Sequence, residues 1–421
     1  MTDTPAIDTR ERIQLAARKL FLRDGFAKTD VNALVKEAQT SKREFYKCFA
    51  TREEAFLETV KGVLGEGGTI AAIPDLPPDE LLPRLARSFY KSNLNADSIG
   101  LFRASIVASI KSSELDAVVY NARANATRPL ADRFAEWQQS GAMTFDDPEL
   151  AALRFGFLAT DGLNYIMGGT PFSDEDIARH ADAVTGLFLH GCASDRLRAA
   201  PSRGSITVGC LRAAAPAPPL VEAKPSRLGP EQWEAIYDAA WLEFAEHGFS
   251  MSSVETIARA GGTARSTIYR RHPTKIDLFN ATAIRVIEKT YLTDITIPAS
   301  AGTVEAALTS LADQILALFL KPDSIRIHKI LIGESDSIPD TTFKIYGDIK
   351  RLLTHSIMEF FDRFGEFFKF TRQDAQFYAW LLFIAISFGG RMLFRKPTDR
   401  HEHAALAHNA VKLFLFGVRK A

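Results

Sequence analysis

The feature that most constrains the fold is an internal repeat. Residues 16–56 match residues 223 positions later without a gap. This spacing exceeds the roughly 20–50 residues of solenoid periods, so it predicts a duplicated domain and not an array. Identical pairs include Ala16 and Ala239, Ala17 and Ala240, Phe21 and Phe244, Gly25 and Gly248, Phe26 and Phe249, Val31 and Val254, Tyr46 and Tyr269, Thr51 and Thr274, and Phe56 and Phe279.

A linker falls between the two copies. Residues 199–229 are rich in Pro, Ala, Gly and Ser and show no amphipathic period, which predicts a semi-extended tether with a reach of about 100 Å. A short strand over Ile206–Val208 is a weaker alternative for part of it. We therefore expect matched N-terminal domains at 1–64 and 230–292, larger bodies at 65–198 and 293–421, and the linker at 199–229.

The residue patterns predict an all-α fold. Apolar residues at helical spacing form one stripe in each copy, and hairpin signals are not seen. Helix-start signals recur at Thr51 and Thr274, Pro148 fits a first turn, and Ser173 and Thr371 each open a helix late in their half. The two stripes are Ile13, Ala16, Ala17, Leu20 and Phe21, and Ile236, Ala239, Ala240 and Phe244.

Composition excludes several protein classes. The chain has 51 Lys+Arg and 51 Asp+Glu, so it is not a polycation, and its 30 Phe require large buried cores. Three scattered cysteines do not suggest a disulfide scaffold. The uncharged stretch 375–390 is too short for a membrane span and predicts a buried helix. With a polar N-terminus, these features favour a cytoplasmic protein without membrane contact.

One segment in each copy carries the functional signal. Residues 31–49 predict two short helices about a tight turn at Gln39-Thr40, and the second copy repeats this with Gly261-Gly262-Thr263. Each second helix has an apolar inner face and a basic, hydroxyl-bearing outer face, which is the geometry of a helix-turn-helix in the DNA major groove. The alternative is a solvated charged face. Candidate DNA contacts are Thr29, Thr40, Ser41, Lys42, Arg43, Tyr46, Lys47, Arg52, Ser252, Thr263, Arg265, Ser266, Thr267, Tyr269, Arg270, Arg271 and Lys275.

These motifs resemble the DNA-binding signature of the TetR family of bacterial regulators. The second copy carries it in Gly248-Phe249, Ser252-Ser253-Val254, Gly261-Gly262 and residues 266–275, and the first copy carries a partial version. The resemblance implies three N-terminal helices for DNA and a larger helical body that binds a small ligand and dimerises. It also implies that Tyr46 and Tyr269, and Arg52 and Lys275, meet the phosphate backbone.

The signature has three departures. Gln39 stands where the family has its turn glycine, and a left-handed backbone there costs about 1 kcal/mol. Ala264 replaces a capping Ser or Thr, at a loss of about 1 kcal/mol unless Thr263 substitutes. Glu44 on the first copy's second helix either contacts a cytosine amine or repels phosphate, and repulsion would weaken DNA contact by the first copy.

The bodies carry expectations from the same resemblance. The last two helices of each body are expected to form a four-helix seam. There Phe377, Trp380, Leu381, Ile384 and Phe388 face Leu153, Phe157, the neighbours of Asp161, and Leu187, with close approach at Gly156, Gly162, Gly389 and Gly390. For any single aromatic ring, the alternative is that it fills the core of its own half and does not lie in the seam. An apolar or aromatic ligand is expected near Phe89, Phe102, Phe134, Trp137, Phe319, Phe343, Tyr346, Phe360 and Phe361, with His328, Glu334 and Asn164 as buried polar candidates.

Enzyme signals are weak. His401-Glu402-His403 is too short for a metalloprotease motif, and residues 65–68 predict a loop and not a phosphate cradle. We expect no enzyme activity, no cofactor and no metal. The sequence favours a ligand-responsive transcriptional repressor whose two halves form an intramolecular pseudo-dimer on an asymmetric, double-stranded operator. Pairing of chains into a further homodimer stays open. The alternative is a protein-interaction or scaffold module in which one or both helix-turn-helix units no longer bind DNA.

Overall fold

The computed structural model describes residues 8–68, 73–93, 96–109, 116–117, 120–121, 125, 127–162, 164, 166–167, 172–199, 209–211, 228–297, 302–388, 393 and 399–419. These residues are mainly helical. The first half contains α1 (Thr9–Lys28), α2 (Val31–Glu37), α3 (Lys42–Cys48), α4 (Arg52–Gly68), α5 (Pro78–Asn93), α6 (Ala96–Ser109), α7 (Arg128–Gln139), α8 (Pro148–Ala159), α9 (Asp174–His190), α10 (Asp195–Ala199) and strand β1 (Gly209–Leu211).

The second half repeats the first. It contains α11 (Pro230–Met251), α12 (Val254–Ala260), α13 (Arg265–Arg271), α14 (Lys275–Tyr291), strand β2 (Ile295–Ile297), α15 (Val304–Phe319), α16 (Pro322–Glu334), α17 (Pro339–Phe364), a 3-10 turn (Gly365–Phe367), α18 (Ala375–Ser387) and α19 (Arg400–Phe416). We call α1–α4 the first head and α11–α14 the second head.

Capping explains where the short helices of the heads begin. Asp30 and Ser41 accept hydrogen bonds from backbone amides in the first turns of α2 and α3, and Ser253 does the same for α12. Thr274 forms the predicted capping box of α14 with Asp277. The second helix of each head therefore begins at Val31 and at Val254.

Helix-start signals in the bodies are confirmed in two places and corrected in one. Ser173 forms a full capping box, and Pro148 is the first residue of α8. The hydroxyl of Thr371 instead donates to the carboxylate of Asp374, so residues 372–374 form a turn and α18 begins at Ala375. Residues 65–68 are not a loop, because they complete the last turn of α4.

The linker contributes a strand, which the all-helical prediction missed. β1 pairs antiparallel with β2 in the register Gly209 with Ile297, Cys210 with Thr296 and Leu211 with Ile295. The physical reason lies in β2, where Ile295 and Ile297 are buried and Thr296 is exposed. The linker is therefore anchored to the second body at β1. The weaker expectation of a strand over 206–208 lies outside the described residues.

Helices of the two halves pack against each other. α8 contacts α18, and α9 contacts α19. Trp380 on α18 donates its indole N–H to Asp161 across this seam at 2.7 Å, and the Arg154 side chain donates to the Ala385 carbonyl at 3.1 Å while lying over the Phe388 ring. Trp380, Ile384 and Phe388 thus meet residues of the first half, as expected.

The glycine expectations at the seam are met only in part. A Cβ atom on Gly162 would lie 3.1 Å from Ile384, so this glycine allows close approach, whereas Gly156 faces Thr127 of its own half. Gly389 and Gly390 lie outside the described residues.

Backbone hydrogen bonds cross between the halves in two matched places. The segment after α9 donates from Cys192 and Ala193 to carbonyls of Phe414 and Leu415 at the end of α19. Reciprocally, Val418 and Arg419 after α19 donate to carbonyls of Phe188 and Leu189 in α9. Two segments that bind each other in the same manner form a two-fold-like, isologous contact.

Helix α18 accounts for the uncharged stretch noted in the sequence. Its residues from Ala379 to Ser387 are buried in the protein interior, as predicted. Among the helices that the structure describes, none has the length and apolar character needed to cross a membrane.

Candidate nucleic-acid interface

The turn before each second helix has the predicted left-handed residue. Gln39 has φ +50° and its counterpart Gly262 has φ +64°. Glycine adopts this conformation without steric cost, whereas a glutamine is strained there. The first head keeps the same turn as the second in spite of that strain.

The second helices, α3 and α13, expose the predicted side chains; we call them the reading helices. In each, one apolar residue anchors the inner face, and Phe45 and Ile268 are both fully buried. The outer faces are exposed or half exposed at Ser41, Lys42, Arg43, Tyr46 and Lys47, and at Arg265, Ser266, Thr267, Tyr269 and Arg270.

Thr40 and Thr263 lie in the turns before these helices and are half exposed. Thr263 does not replace the missing cap, since α13 begins after Ala264 and receives no side-chain cap among the described residues. The first turn of α13 therefore leaves backbone N–H groups available for an external acceptor.

The two outer faces differ in charge. On α3, the carboxylate of Glu44 accepts a hydrogen bond from the Lys47 ammonium at 2.7 Å. The matched residue on α13 is Thr267, and α13 carries no acidic residue. On α13, the guanidinium of Arg265 lies 5.0 Å from the centre of the Tyr269 ring. The reading helix α13 thus carries positive charge with no acidic residue of its own, whereas α3 pairs one of its cations with Glu44.

Two predicted contact residues point into their own head. Thr29 and Ser252 are buried, and their hydroxyls donate to the carbonyls of Gly25 and Phe249. Each hydroxyl satisfies a carbonyl at or next to the break in the long first helix, which lies at Gly25 and Gly248, and contact of Thr29 and Ser252 with DNA stays a prediction.

Arg52 and Lys275 make matching contacts in the two heads. Arg52 lies over the Phe26 ring and donates to the Thr29 carbonyl at 3.0 Å. Lys275 lies over Phe249 and donates to the carbonyls of Ser250 and Ser252. Burial lowers the pKa of Lys275, and the charges of Glu334 and Glu243 oppose that shift. Both cations therefore hold the corner between the first two helices of their head, and their contact with phosphate stays a prediction.

Arg271 also turns inward, contrary to the prediction of an outward side chain. Its guanidinium lies 4.7 Å from the centre of the Trp233 ring. In the first head a cation–ring contact also joins the first helix to the end of the reading helix, because Arg10 lies over Phe49 there. Arg10 aligns with Trp233, but Arg271 aligns with Cys48 and not with Phe49, so both heads have a cation–ring contact at this place without making it from matched residues.

His272 is a residue that sequence reasoning missed. It is buried beside Trp233, and its ring lies 2.9 Å from the Tyr237 hydroxyl. Burial, and secondarily the charge of Arg271, lower the pKa of His272 to about 4, so it is neutral at pH 7. Its signal in the sequence is the alignment with Phe49, which marks a core position.

The expected ligand rings mostly fill the cores of the bodies. Phe134 stacks on Phe145 at 4.7 Å and on Trp137 at 5.8 Å, whereas Phe343 is 45% exposed. His328 is buried with its Nδ1 beside the Ser324 carbonyl, and burial lowers its pKa to about 4. These residues pack among themselves and do not by themselves define a ligand site.

The other polar candidates have neighbours of their own. Glu334 accepts hydrogen bonds from the amide and hydroxyl of Ser250 in the second head. Asn164 is half buried. The ring of His403 lies 3.2 Å from the Asp313 carbonyl, and within the described residues no group of His, Cys, Asp and Glu has a metal-binding arrangement.

Comparison with known proteins agrees with this geometry. The family model described as "Bacterial regulatory proteins, tetR family" matches residues 13–59 and again residues 236–282, which are the two heads. The chain belongs to the TetR family, with two units in tandem. The first body also matches the model "AefR-like transcriptional repressor, C-terminal domain" over residues 80–191. The chain thus has the fold of a TetR-family transcriptional regulator with DNA-binding N-terminal domains.

Similar solved structures cover one unit of this tandem TetR-family chain. A protein described as a TetR-family transcriptional regulator from Mesorhizobium loti is 24% identical, with a TM-score of 0.38, over 42% of this chain and 93% of that one. The Flavonoid-responsive Regulator FrrA is 24% identical (TM-score 0.37; 42% and 92% covered). A TetR family transcriptional regulator from Pseudomonas syringae is 22% identical (TM-score 0.35; 44% and 96% covered). No curated protein matches the chain.

Proposed function

We propose that the chain is a ligand-responsive transcriptional repressor of the cytoplasm. Its two heads bind one asymmetric operator as an intramolecular pseudo-dimer. The observation that carries the proposal is the presence of two exposed, unlike reading helices in one chain whose halves share reciprocal backbone contacts. The proposal keeps the division into N-terminal domains at 1–64 and 230–292, bodies at 65–198 and 293–421, and a linker at 199–229.

The operator is asymmetric because the reading faces differ. The first head presents Lys42, Arg43 and Glu44, and the second presents Arg265 and Ser266. Lysine and arginine recognise guanine edges, whereas serine accepts several bases, so the two half-sites carry different sequences. Helix-turn-helix pairs read half-sites about one helical turn apart, which sets the expected length of the operator.

The ligand response follows from the way in which the heads join the bodies. In the first half, α6 contacts both α1 and α4, and in the second half α16 contacts α11. A small apolar or aromatic molecule that favours one arrangement of the bodies changes the separation of the heads and hence the operator affinity. Titration of a ligand library against labelled operator tests this part, and a complete lack of response contradicts it.

A salt titration of operator binding tests the DNA contacts. Arg265→Ala and Arg270→Ala should each weaken binding and lower the slope of log affinity against log salt by about 1 if the residue contacts phosphate. Arg372→Ala is the matched control, since Arg372 is an exposed arginine of the body that pairs with Asp362. Equal slopes for all variants would contradict DNA contact through α13.

A footprint separates the proposal from its alternative. Protection of two dissimilar half-sites by one chain supports the pseudo-dimer, and a perfect palindrome with two chains bound contradicts it. Protection of one half-site only favours a first head used for protein contact. The internal Glu44–Lys47 pair on α3 is the observation that makes this second candidate worth testing.

A further inference from the structure

Helices α6 and α16 meet at two matched residues. The opening residues 96–99 of α6 read Ala-Asp-Ser-Ile, and the opening residues 322–325 of α16 read Pro-Asp-Ser-Ile, so the two helices align at an offset of 226 positions. In this alignment Val107 corresponds to Gly333. A Cβ atom on Gly333 would lie 2.6 Å from Val107 Cγ2. Matched residues that touch each other lie close to the two-fold-like axis that relates the halves.

Charged residues flank this crossing on both sides. Arg103 on α6 forms an ion pair with Asp336 of the second half. Its matched residue on α16 is Lys329, which donates to Ser109 at 2.8 Å and to Asp116 at 3.1 Å in the first half. Lys329 is only 8% exposed, so its charge depends on this carboxylate.

We propose that the α6–α16 crossing is an interface that accepts the unlike unit and rejects a second copy of the same unit. The inference rests on the pairing of the two halves within the proposed function, and not on DNA contact. Valine fills the space that glycine leaves, so the unlike pair is complementary in shape.

Pairs of like units lose this complementarity. Two first units would bring Val107 against Val107, at a place where even one added Cβ overlaps its neighbour. Two second units would bring glycine against glycine and leave a void. The matched positions of Asp336 and Asp116 in the other half are Ile110 and Thr342 in the sequence, so like pairs also lose the carboxylates that face Arg103 and Lys329.

The crossing also positions the heads. A Cβ atom on Gly100 of α6 would lie 2.6 Å from Leu22 in α1, so α6 packs closely on the first head. Glu334, next to Gly333 on α16, accepts a hydrogen bond from the Ser250 amide of the second head at 2.9 Å. Selection of the unlike partner therefore places one head of each kind on the same assembly.

The test uses four versions of the full chain, compared by thermal unfolding and by mass in solution. At positions 107 and 333, wild type has Val and Gly, V107G has Gly at both, G333V has Val at both, and V107G/G333V has the two residues exchanged. The like pairs should unfold at lower temperature, G333V by about 3 °C. The exchanged pair should recover at least half of the loss seen in G333V.

The decisive observation is the sign of the stability change that V107G causes. This substitution should destabilise the wild-type chain and stabilise the G333V chain. Helix propensity cannot reverse sign in this way, because it acts equally in both backgrounds. G347V is the control for a valine introduced into a helix, since no atom of the described residues lies within 4 Å of its Cβ. If G333V does not fold, the pair G333A and V107G/G333A gives the same comparison.

Two results would overturn the proposal. One is a V107G substitution that destabilises both backgrounds, and the other is a G333V chain that matches G347V in stability and stays a single-chain particle. If the wild-type chain does not bind operator, but V107G still destabilises wild type and stabilises G333V, the proposed DNA function is refuted. The proposed preference for the unlike unit then stands.

Discussion

Gly191 offers the sharpest test of the contact between the halves. It follows α9 with φ +65° and ψ −176°, and a Cβ atom there would lie 2.2 Å from the carbonyl oxygen of Leu415. Gly417 is in the matched place after α19, and its Cβ would lie 2.4 Å from the Leu189 carbonyl oxygen. Gly191→Ala therefore forces the backbones of the two halves apart.

The destabilisation expected for Gly191→Ala has two parts. Gly25 has nearly the same backbone conformation, with φ +75° and ψ 166°, and no described atom lies within 4 Å of its Cβ. Gly25→Ala therefore measures backbone strain alone, about 1–3 kcal/mol. Gly191→Ala adds the loss of three inter-half hydrogen bonds, those of the amides of Cys192, Ala193 and Lys369. At about 1 kcal/mol each, the excess over the control is about 3 kcal/mol.

Urea denaturation of the three full-length variants measures this excess. Gly191→Ala and Gly417→Ala should shift the midpoint equally, and each should shift it well beyond the shift of Gly25→Ala. A Gly191→Ala chain as stable as the Gly25→Ala chain would refute the reasoning, because the two halves would then not be held by this contact.

Three further predictions concern the heads. Glu44→Gln should tighten operator binding roughly 3- to 10-fold at low salt, because it frees Lys47 and removes a charge facing phosphate; fluorescence anisotropy checks this, and unchanged affinity argues against contact by α3. Ala264→Ser should raise the free energy of unfolding by about 1 kcal/mol by supplying the missing cap of α13, measured in urea. Because the folded pKa of His272 is about 4, below its usual 6.5, stability should be full above pH 6.5 and fall as the pH drops toward 4; His272→Phe should reduce that slope, and an unchanged slope would contradict it.

The sequence predicted most of the heads. The repeat spacing, the apolar anchors and the turn residues are local signals, and Gln39 takes the left-handed conformation expected from its alignment with Gly262. What it missed depends on three-dimensional neighbours. A helical wheel predicts that the basic side chain of Arg271 points outward, yet it lies over Trp233 because this ring of α11 is within reach. Thr29 and Ser252 are expected to contact DNA, yet their hydroxyls donate to carbonyls four and three residues earlier in the chain.

Contacts between distant segments were harder to predict. The seam around Trp380 and Asp161 was expected from family resemblance, but the hydrogen bond between them joins residues 219 positions apart. The strand pairing of β1 has no sequence signal beyond three residues, since a strand this short forms only where a partner edge is already present. The Val107–Gly333 contact follows from a half-to-half geometry that no local pattern encodes.

The pairing of β1 with β2 divides the linker into two parts with different consequences. Residues 200–208 join α10 to β1, and nine residues extend at most about 30 Å, well under the 100 Å that the whole linker would allow. While β1 stays paired, the first unit cannot travel farther than this from the second body, which raises the local concentration that each half presents to the other. Residues 212–227 connect β1 to the second head. Insertions there lengthen only the path to that head, so the two segments can change in length independently.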